Sequence, residues 1–299
     1  MARVAFIGLG NMGGGMAANL AKKGHDVRAF DLSTEALDRA REAGCLIAES
    51  AAAACEGVEA VVTMLPAGKH VESVYGESIF AAVPPAAILM DCSTIDVESA
   101  RAVIADAAAA GYAMVDAPVS GGIAAAEAGT LTFMAGGTDA AFERARPFLE
   151  QMGKAVIHAG DAGAGQAAKI CNNMLLGATM VATCEAFAMA KKLGLDLQTF
   201  YDISSKASGQ SWSMTSYCPV PGVGPETPAD RNYDGGFAAA LMLKDLRLAM
   251  EAARSVNAYT PMGGEAEELY TRFAEALGGG GKDFSAIIKM IDDSWVAPA

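Results

Sequence analysis

The first half of the chain alternates short, mainly apolar runs with stretches whose apolar residues recur every three to four positions. The runs predict β-strands over 3–8, 26–31, 60–65, 87–91, 114–117, 131–135 and 155–158. The stretches between them predict helices, among them 16–23, 33–43, 96–110 and 139–152. Strands that are apolar throughout are covered on both faces, the pattern of a mostly parallel, doubly wound sheet flanked by helices. Beyond about residue 160 the strand signal stops, and helical spacing continues through 165–193, 196–206, 237–255, 261–276 and 284–291. The chain therefore reads as an α/β domain over 1–162 followed by an all-α domain over 163–299, with the long helix from about 165 to 193 joining them.

Two segments test that division. The stretch 173–190 is apolar enough to raise the question of a membrane span, but Glu185 lies inside it and its Ala, Thr and Gly residues make it only mildly hydrophobic, so a buried helix is expected. The segment Pro219-Val220-Pro221-Gly222-Val223-Gly224-Pro225 is a long loop of the kind that often carries function. Its neighbours Trp212 and Tyr217 either wall a pocket or anchor the loop to the surface.

The first strand runs into Gly8-Leu9-Gly10-Asn11-Met12-Gly13, a helix follows, and Asp31 ends the next strand. A GxGxxG alone is a weak signal; between a strand and a helix, with an acid closing the second strand, it is a dinucleotide fingerprint. Gly8 permits the tight turn, Gly10 lets the backbone approach a pyrophosphate, and Gly13 lets helix and strand pack closely. The helix N-terminus supplies N–H groups and positive dipole to phosphates. Asp31 can accept hydrogen bonds from the adenine-ribose 2′-OH while its charge opposes a 2′-phosphate, which favours NAD over NADP. The N-terminal domain is thus expected to be Rossmann-like.

Composition narrows the partners. A net charge of −13 argues against nucleic acid or an anionic membrane, since either needs a basic surface. Six scattered cysteines without a CxxC pair, and three separated histidines, read as reduced thiols with no metal site. The first strand starts almost at residue 1, so the expectation is a cytoplasmic protein without a targeting segment.

Two further segments carry candidate chemistry. In Asp116-Ala117-Pro118-Val119-Ser120-Gly121-Gly122, a hydroxyl and two consecutive glycine N–H groups can cradle a small carboxylate, although an ordinary Ser-Gly turn has the same composition. In Gly163-Ala164-Gly165-Gln166-Ala167-Ala168-Lys169-Ile170-Cys171-Asn172-Asn173, Lys169 and Asn173 lie four residues apart, hence on one helix face.

With these motifs assembled, the chain resembles the β-hydroxyacid dehydrogenase family: the N-terminal fingerprint, a DxPVSGGxxxAxxGTL segment, a GxGxxxKxxNN segment and Lys244-Asp245 span nearly its whole length. The resemblance implies that Lys169 is the catalytic acid/base, that Ser120, Gly121 and Gly122 bind the substrate carboxylate, and that Asn173 positions the reacting oxygen. It implies that the Leu65-Pro66 and Ser93-Thr94 turns line the nicotinamide side and that Lys244 lies near the cofactor. It also fits NAD, because NADP-using relatives tend to carry Asn-Arg where this chain has Asp31-Leu32. Trp212, Tyr217, Phe237 and Asp245 complete the expected substrate contacts.

The implied reaction is oxidation of a small 3-hydroxy acid, 3-hydroxyisobutyrate (to methylmalonate semialdehyde, in valine breakdown) ahead of L-serine, 3-hydroxypropionate, or reduction of tartronate or succinate semialdehyde. Such an oxidation sends a hydride to the nicotinamide and needs a group to take the hydroxyl proton. A lysine at about 10.4 is too weakly acidic to be neutral at pH 7; burial and a cationic nicotinamide lower it, while the substrate carboxylate pulls the other way. A non-catalytic nucleotide-binding module is an alternative of a different class, disfavoured because Lys169 is present. A Rossmann-like methyltransferase leaves the Ser120 and Lys169 segments without a role. The resemblance and the apolar helix after Asn173 also suggest a homodimer or homotetramer.

Overall fold

The computed structural model describes residues 1–293; the last six residues of the expected second domain, 294–299, lie outside it. Two compact units divide at Lys169/Ile170, within the long helix Ala164–Lys192.

The first unit is built on nine strands: β1 (Arg3–Ile7), β2 (Asp26–Phe30), β3 (Leu46–Ile47), β4 (Ala60–Thr63), β5 (Ile88–Asp91), β6 (Ala113–Asp116), β7 (Val119–Ser120), β8 (Leu131–Gly136) and β9 (Gly153–Gly160). Their order is β3-β2-β1-β4-β5-β6-β8-β7, with β9 on β8. Pairing is parallel from β3 through β6 and between β8 and β9, and antiparallel where β8 meets β6 and β7. The apolar runs become central strands because alternate residues go to opposite faces and both faces are covered. Val4, Phe6, Val62 and Met90 pack on one side with Met16 and Leu20 of the helix Gly13–Lys22. Ala5, Ile7, Val61 and Leu89 pack on the other side with Val71, Tyr75 and Val103.

Side-chain caps fix where the flanking helices begin. Ser33, Asp96 and Thr138 each accept the N–H three residues ahead, at 3.3, 2.7 and 3.2 Å, satisfying a donor that has no partner within its helix. The strands β1, β4 and β5 all end on one edge of the sheet, followed by the turns at Gly8, Met64 and Cys92.

The second unit is helical: the remainder of Ala164–Lys192, then Leu197–Ser204, Ala239–Ser255 and Pro261–Thr271, with the Pro/Gly loop and short helical turns in the long segment 205–238. Met180, Cys184 and Phe187, spaced as one helix face, pack with Met242, Leu246, Tyr270 and Phe284. The Pro/Gly loop is packed down: Cys218, Val220 and Val223 are buried in this core, and Tyr233 donates its hydroxyl to the carbonyl of Pro219 at 2.8 Å. By length and composition Ala164–Lys192 could cross a membrane, but half of its most apolar window is buried inside the protein.

Candidate active site

The glycine turn after β1 has the shape a pyrophosphate needs. Gly8 has φ +93°, and a Cβ there would sit 2.2 Å from the carbonyl oxygen of Met64. A Cβ on Gly13 would meet the carbonyl oxygen of Gly8 at 2.0 Å, so only glycine lets the helix start this close to the strand. Over Gly10, in contrast, a Cβ would meet nothing within 4 Å, and the residue is exposed with Asn11. No side chain caps the following helix at Met12 and no acid lies in its first turn, so its positive end is open to an anion. These residues fit a bound dinucleotide.

Asp31 lies at the same turn. Its Oδ2 accepts the N–H of Leu9 at 2.6 Å and its Oδ1 accepts the N–H of Ser33 at 2.7 Å. Beyond the ribose role expected of it, the carboxylate therefore ties the glycine loop to the end of β2. Leu32 beside it is 93% exposed.

The turns after β4 and β5 are joined through a buried carboxylate. Ser93 donates its hydroxyl to Asp91 Oδ1 at 2.6 Å and accepts the N–H of Leu65 at 2.8 Å. Thr63 also donates to Asp91 Oδ1, at 2.7 Å, while Asp91 Oδ2 is buried without a hydrogen-bond partner. Burial pushes the Asp91 carboxyl up to about 6, against the hydrogen bonds from Ser93 and Thr63 that favour its charged form. Leu65 and Ser93 are thus brought together, with Pro66 and Thr94 as the next residues along each turn.

Asp116, at the end of β6, holds the start of the lysine helix. Its Oδ1 accepts the N–H of Gly163 and its Oδ2 the N–H of Gln166, both at 2.8 Å. Burial raises the carboxyl, while these backbone bonds pull the other way. Gly165 allows the close approach, since a Cβ there would stand 2.3 Å from the carbonyl oxygen of Met134. The Gln166 side chain, fully buried, accepts the N–H of Ile95 at 3.1 Å and donates to the carbonyl of Ser93 at 2.7 Å. Lys169 follows one turn later and is only 6% exposed. Ser120 pairs with Thr132 on β8, and Gly121 and Gly122, both at positive φ, lead into the helix Gly122–Ala128.

In the helical unit, Asn173 donates to Asp245 at 2.5 Å, both side chains being buried, and its oxygen accepts from Asn172 at 2.9 Å. Lys244, next to Asp245 in the helix Ala239–Ser255, is half-buried. Trp212 stacks on Tyr217 at 4.8 Å, Tyr217 on Phe284 at 5.4 Å, and Phe237 meets Phe284 edge-on at 5.8 Å. Beneath them, buried Asp283 accepts the Tyr217 hydroxyl at 2.9 Å and the Phe237 N–H at 2.8 Å. Burial and this neighbouring carboxylate push the Tyr217 phenol up. The three expected aromatic residues thus form one cluster around Phe284, with Trp212 half exposed at its edge.

Sequence reasoning gave no role to Asp91, Gln166 or Asp283, and it quoted Asp116 without saying what it does. For Asp91 and Asp116 a signal existed: an acid ending an apolar strand must be buried and must find donors.

Comparison with known proteins identifies the family. Residues 3–160 match the NAD binding domain of 6-phosphogluconate dehydrogenase, and residues 163–291 match the NAD-binding domain of NADP-dependent 3-hydroxyisobutyrate dehydrogenase. A 3-hydroxyisobutyrate dehydrogenase of Pseudomonas aeruginosa is 50% identical over 97% of this chain and 98% of its own. The chain belongs to the 3-hydroxyisobutyrate dehydrogenase family. It is accordingly an NAD-binding oxidoreductase with a Rossmann-like N-terminal domain and a helical C-terminal region. Also similar is an NAD-dependent L-serine dehydrogenase of the same organism, 47% identical over 98% of each chain. A 3-hydroxyisobutyrate dehydrogenase of Mycobacterium tuberculosis solved with L-serine is 45% identical, with a TM-score of 0.94 over 98% of this chain and 99% of that one.

Proposed function

We propose that the protein oxidises 3-hydroxyisobutyrate to methylmalonate semialdehyde with NAD, Lys169 serving as acid/base. The observation that carries this reading is Lys169 itself, a buried lysine on a helix anchored at its start by Asp116 and held by Gln166 to the turn containing Thr94. Bound NAD would supply the acceptor for the hydride on C3 of the alcohol. Neutral Lys169 takes the hydroxyl proton as the C–H bond breaks, so the alcohol becomes an aldehyde and the lysine an ammonium.

The other assignments follow their chemistry. The Ser120 hydroxyl and the Gly121 and Gly122 N–H groups bind the substrate carboxylate. Asn173, its amide oriented by Asp245, holds the reacting oxygen. Gly8 to Gly13 and Asp31 bind the pyrophosphate and adenine ribose, Leu65, Pro66, Ser93 and Thr94 face the nicotinamide, and Lys244 lies near the cofactor. The cluster of Trp212, Tyr217 and Phe237 receives the C2 substituent. A physiological role in valine breakdown, a cytoplasmic address and the division into domains at 162/163 belong to the same reading. So does a homodimer or homotetramer, supported by exposed Leu175 and Met189 on the long helix and Leu193 just after it.

L-Serine is the second reading, favoured by the serine dehydrogenase relative and by the mycobacterial structure solved with L-serine. Following the absorbance of reduced cofactor with a panel of 3-hydroxy acids separates the two. The expected order of kcat/KM is 3-hydroxyisobutyrate, then 3-hydroxypropionate, lower by about 1–3 kcal/mol for the missing methyl, then L-serine, whose ammonium must be desolvated. L-Serine ranking first would replace the leading reading with the second.

A further inference from the structure

We infer that Gln166 is a positioning residue that sets the separation between the nicotinamide-side turn at Thr94 and the proton acceptor Lys169. The inference rests on the role proposed above for Lys169.

Three observations lead to it. First, the Gln166 amide binds both neighbours of Thr94: its nitrogen donates to the carbonyl of Ser93 at 2.7 Å, and its oxygen accepts the N–H of Ile95 at 3.1 Å. Two bonds from one planar amide fix that turn in orientation as well as distance. Second, Gln166 is itself fixed, because its own N–H is given to Asp116 Oδ2 at 2.8 Å and its side chain is fully buried. Third, Lys169 is three residues further along the same helix, hence on the same face and about 4.5 Å along the axis. Any slide or rotation of the helix that moved Lys169 would have to break the amide's two bonds.

The frame continues on the other side. Ser93 also receives the N–H of Leu65 and donates to Asp91, so the turns after β4 and β5 move as one piece with Thr94. Gln166 is the side chain through which that piece is tied to the lysine helix. Hydride and proton leave adjacent atoms of one alcohol, so donor geometry depends on the nicotinamide and the lysine standing at a fixed spacing. A misplacement of about 1 Å can cost on the order of 100-fold in rate.

A double-mutant cycle on the full-length protein tests this. Gln166→Met keeps the side chain's length and apolar stem but removes both hydrogen bonds. It is expected to lower kcat about 10- to 100-fold while the NAD dissociation constant, read by fluorescence titration, stays within about threefold. In a Lys169→Ala background the same change is expected to cost less than about threefold, because the residue whose placement it governs is gone. Gln166→Glu, which keeps an acceptor for Ile95 but opposes the Ser93 carbonyl, should repeat the pattern and decides the matter if the Met variant does not fold. A kcat within about twofold of wild type overturns the inference, as does a loss of equal size in the Lys169→Ala background, which would make Gln166 a support for the turn alone. Full activity of Lys169→Ala by itself would instead remove the role of the lysine, an outcome read separately from any Gln166 variant.

Discussion

The side-chain amide of Asn173 is held by the carboxylate of Asp245, 72 residues away in sequence, at 2.5 Å, with both groups withdrawn from solvent. An amide with one N–H committed in this way cannot flip, so its remaining N–H keeps a fixed direction. Asp245, expected from the sequence to contact substrate, also binds the residue assigned to the reacting oxygen.

Asp245→Leu is therefore expected to leave a buried donor unsatisfied and to destabilise the protein by about 1–3 kcal/mol. It should also lower kcat/KM about tenfold as the Asn173 amide loses its orientation, roughly the rate equivalent of 1.4 kcal/mol. Asp245→Asn retains an oxygen acceptor and should recover most of both. Urea unfolding together with steady-state kinetics checks this; a Leu variant with unchanged kcat/KM would detach Asp245 from Asn173's role.

Cofactor choice turns on Asp31 and its exposed neighbour. Asp31→Asn with Leu32→Arg removes a charge that repels a 2′-phosphate and adds a cation where there is open solvent. A charge-assisted hydrogen bond contributes about 1.5–3 kcal/mol, so the ratio of kcat/KM for NADP over NAD should rise about 10- to 100-fold. Because Asp31 also holds Leu9, the single change Asp31→Asn should weaken NAD binding as well. Equal use of both cofactors by the wild type would contradict this role of Asp31.

Asp91 predicts a pH dependence. Its carboxyl titrates near 6 in the fold against an ordinary value of 3.8, so the unfolded chain releases this proton first as pH rises. Its contribution to stability is present in full below about pH 4 and is lost as pH rises through 6, a displacement worth up to roughly 3 kcal/mol. Asp91→Asn cannot ionise, so its stability relative to wild type should increase from pH 4 to about 7 and then level off. Urea unfolding across that range measures it. A pH-independent difference would mean that Asp91 does not change protonation there.

The strands and helices of the first unit are legible because residues 4–7, 60–62 and 88–90 are apolar without interruption and segments of helical period lie between the strands. Two-residue strands such as Leu46–Ile47 and Val119–Ser120 are too short to carry a period, and they exist through their partners on β2 and β8. The same distinction divides the site. Gly8 and Gly13 declare themselves because a local turn demands them, and Gly10 because it completes their spacing. Gln166 does not, since its meaning lies in Ser93 and Ile95, more than 70 residues earlier. The aromatic cluster is readable as a set of residues, but Asp283, which joins Tyr217 to Phe237, is brought there by backbone bonds from residues 282–284 to 233–239.

The most direct test of the account is Lys169→Ala assayed for NAD reduction with the best 3-hydroxy acid, alongside NAD binding by fluorescence titration. Loss of a general acid/base costs roughly 10²- to 10⁴-fold in rate, and the dinucleotide contacts assigned to Gly8 through Gly13 and Asp31 are untouched. The account predicts a fall in kcat of that size with NAD affinity within about threefold of wild type. A kcat near that of wild type, with no added amine, would contradict it.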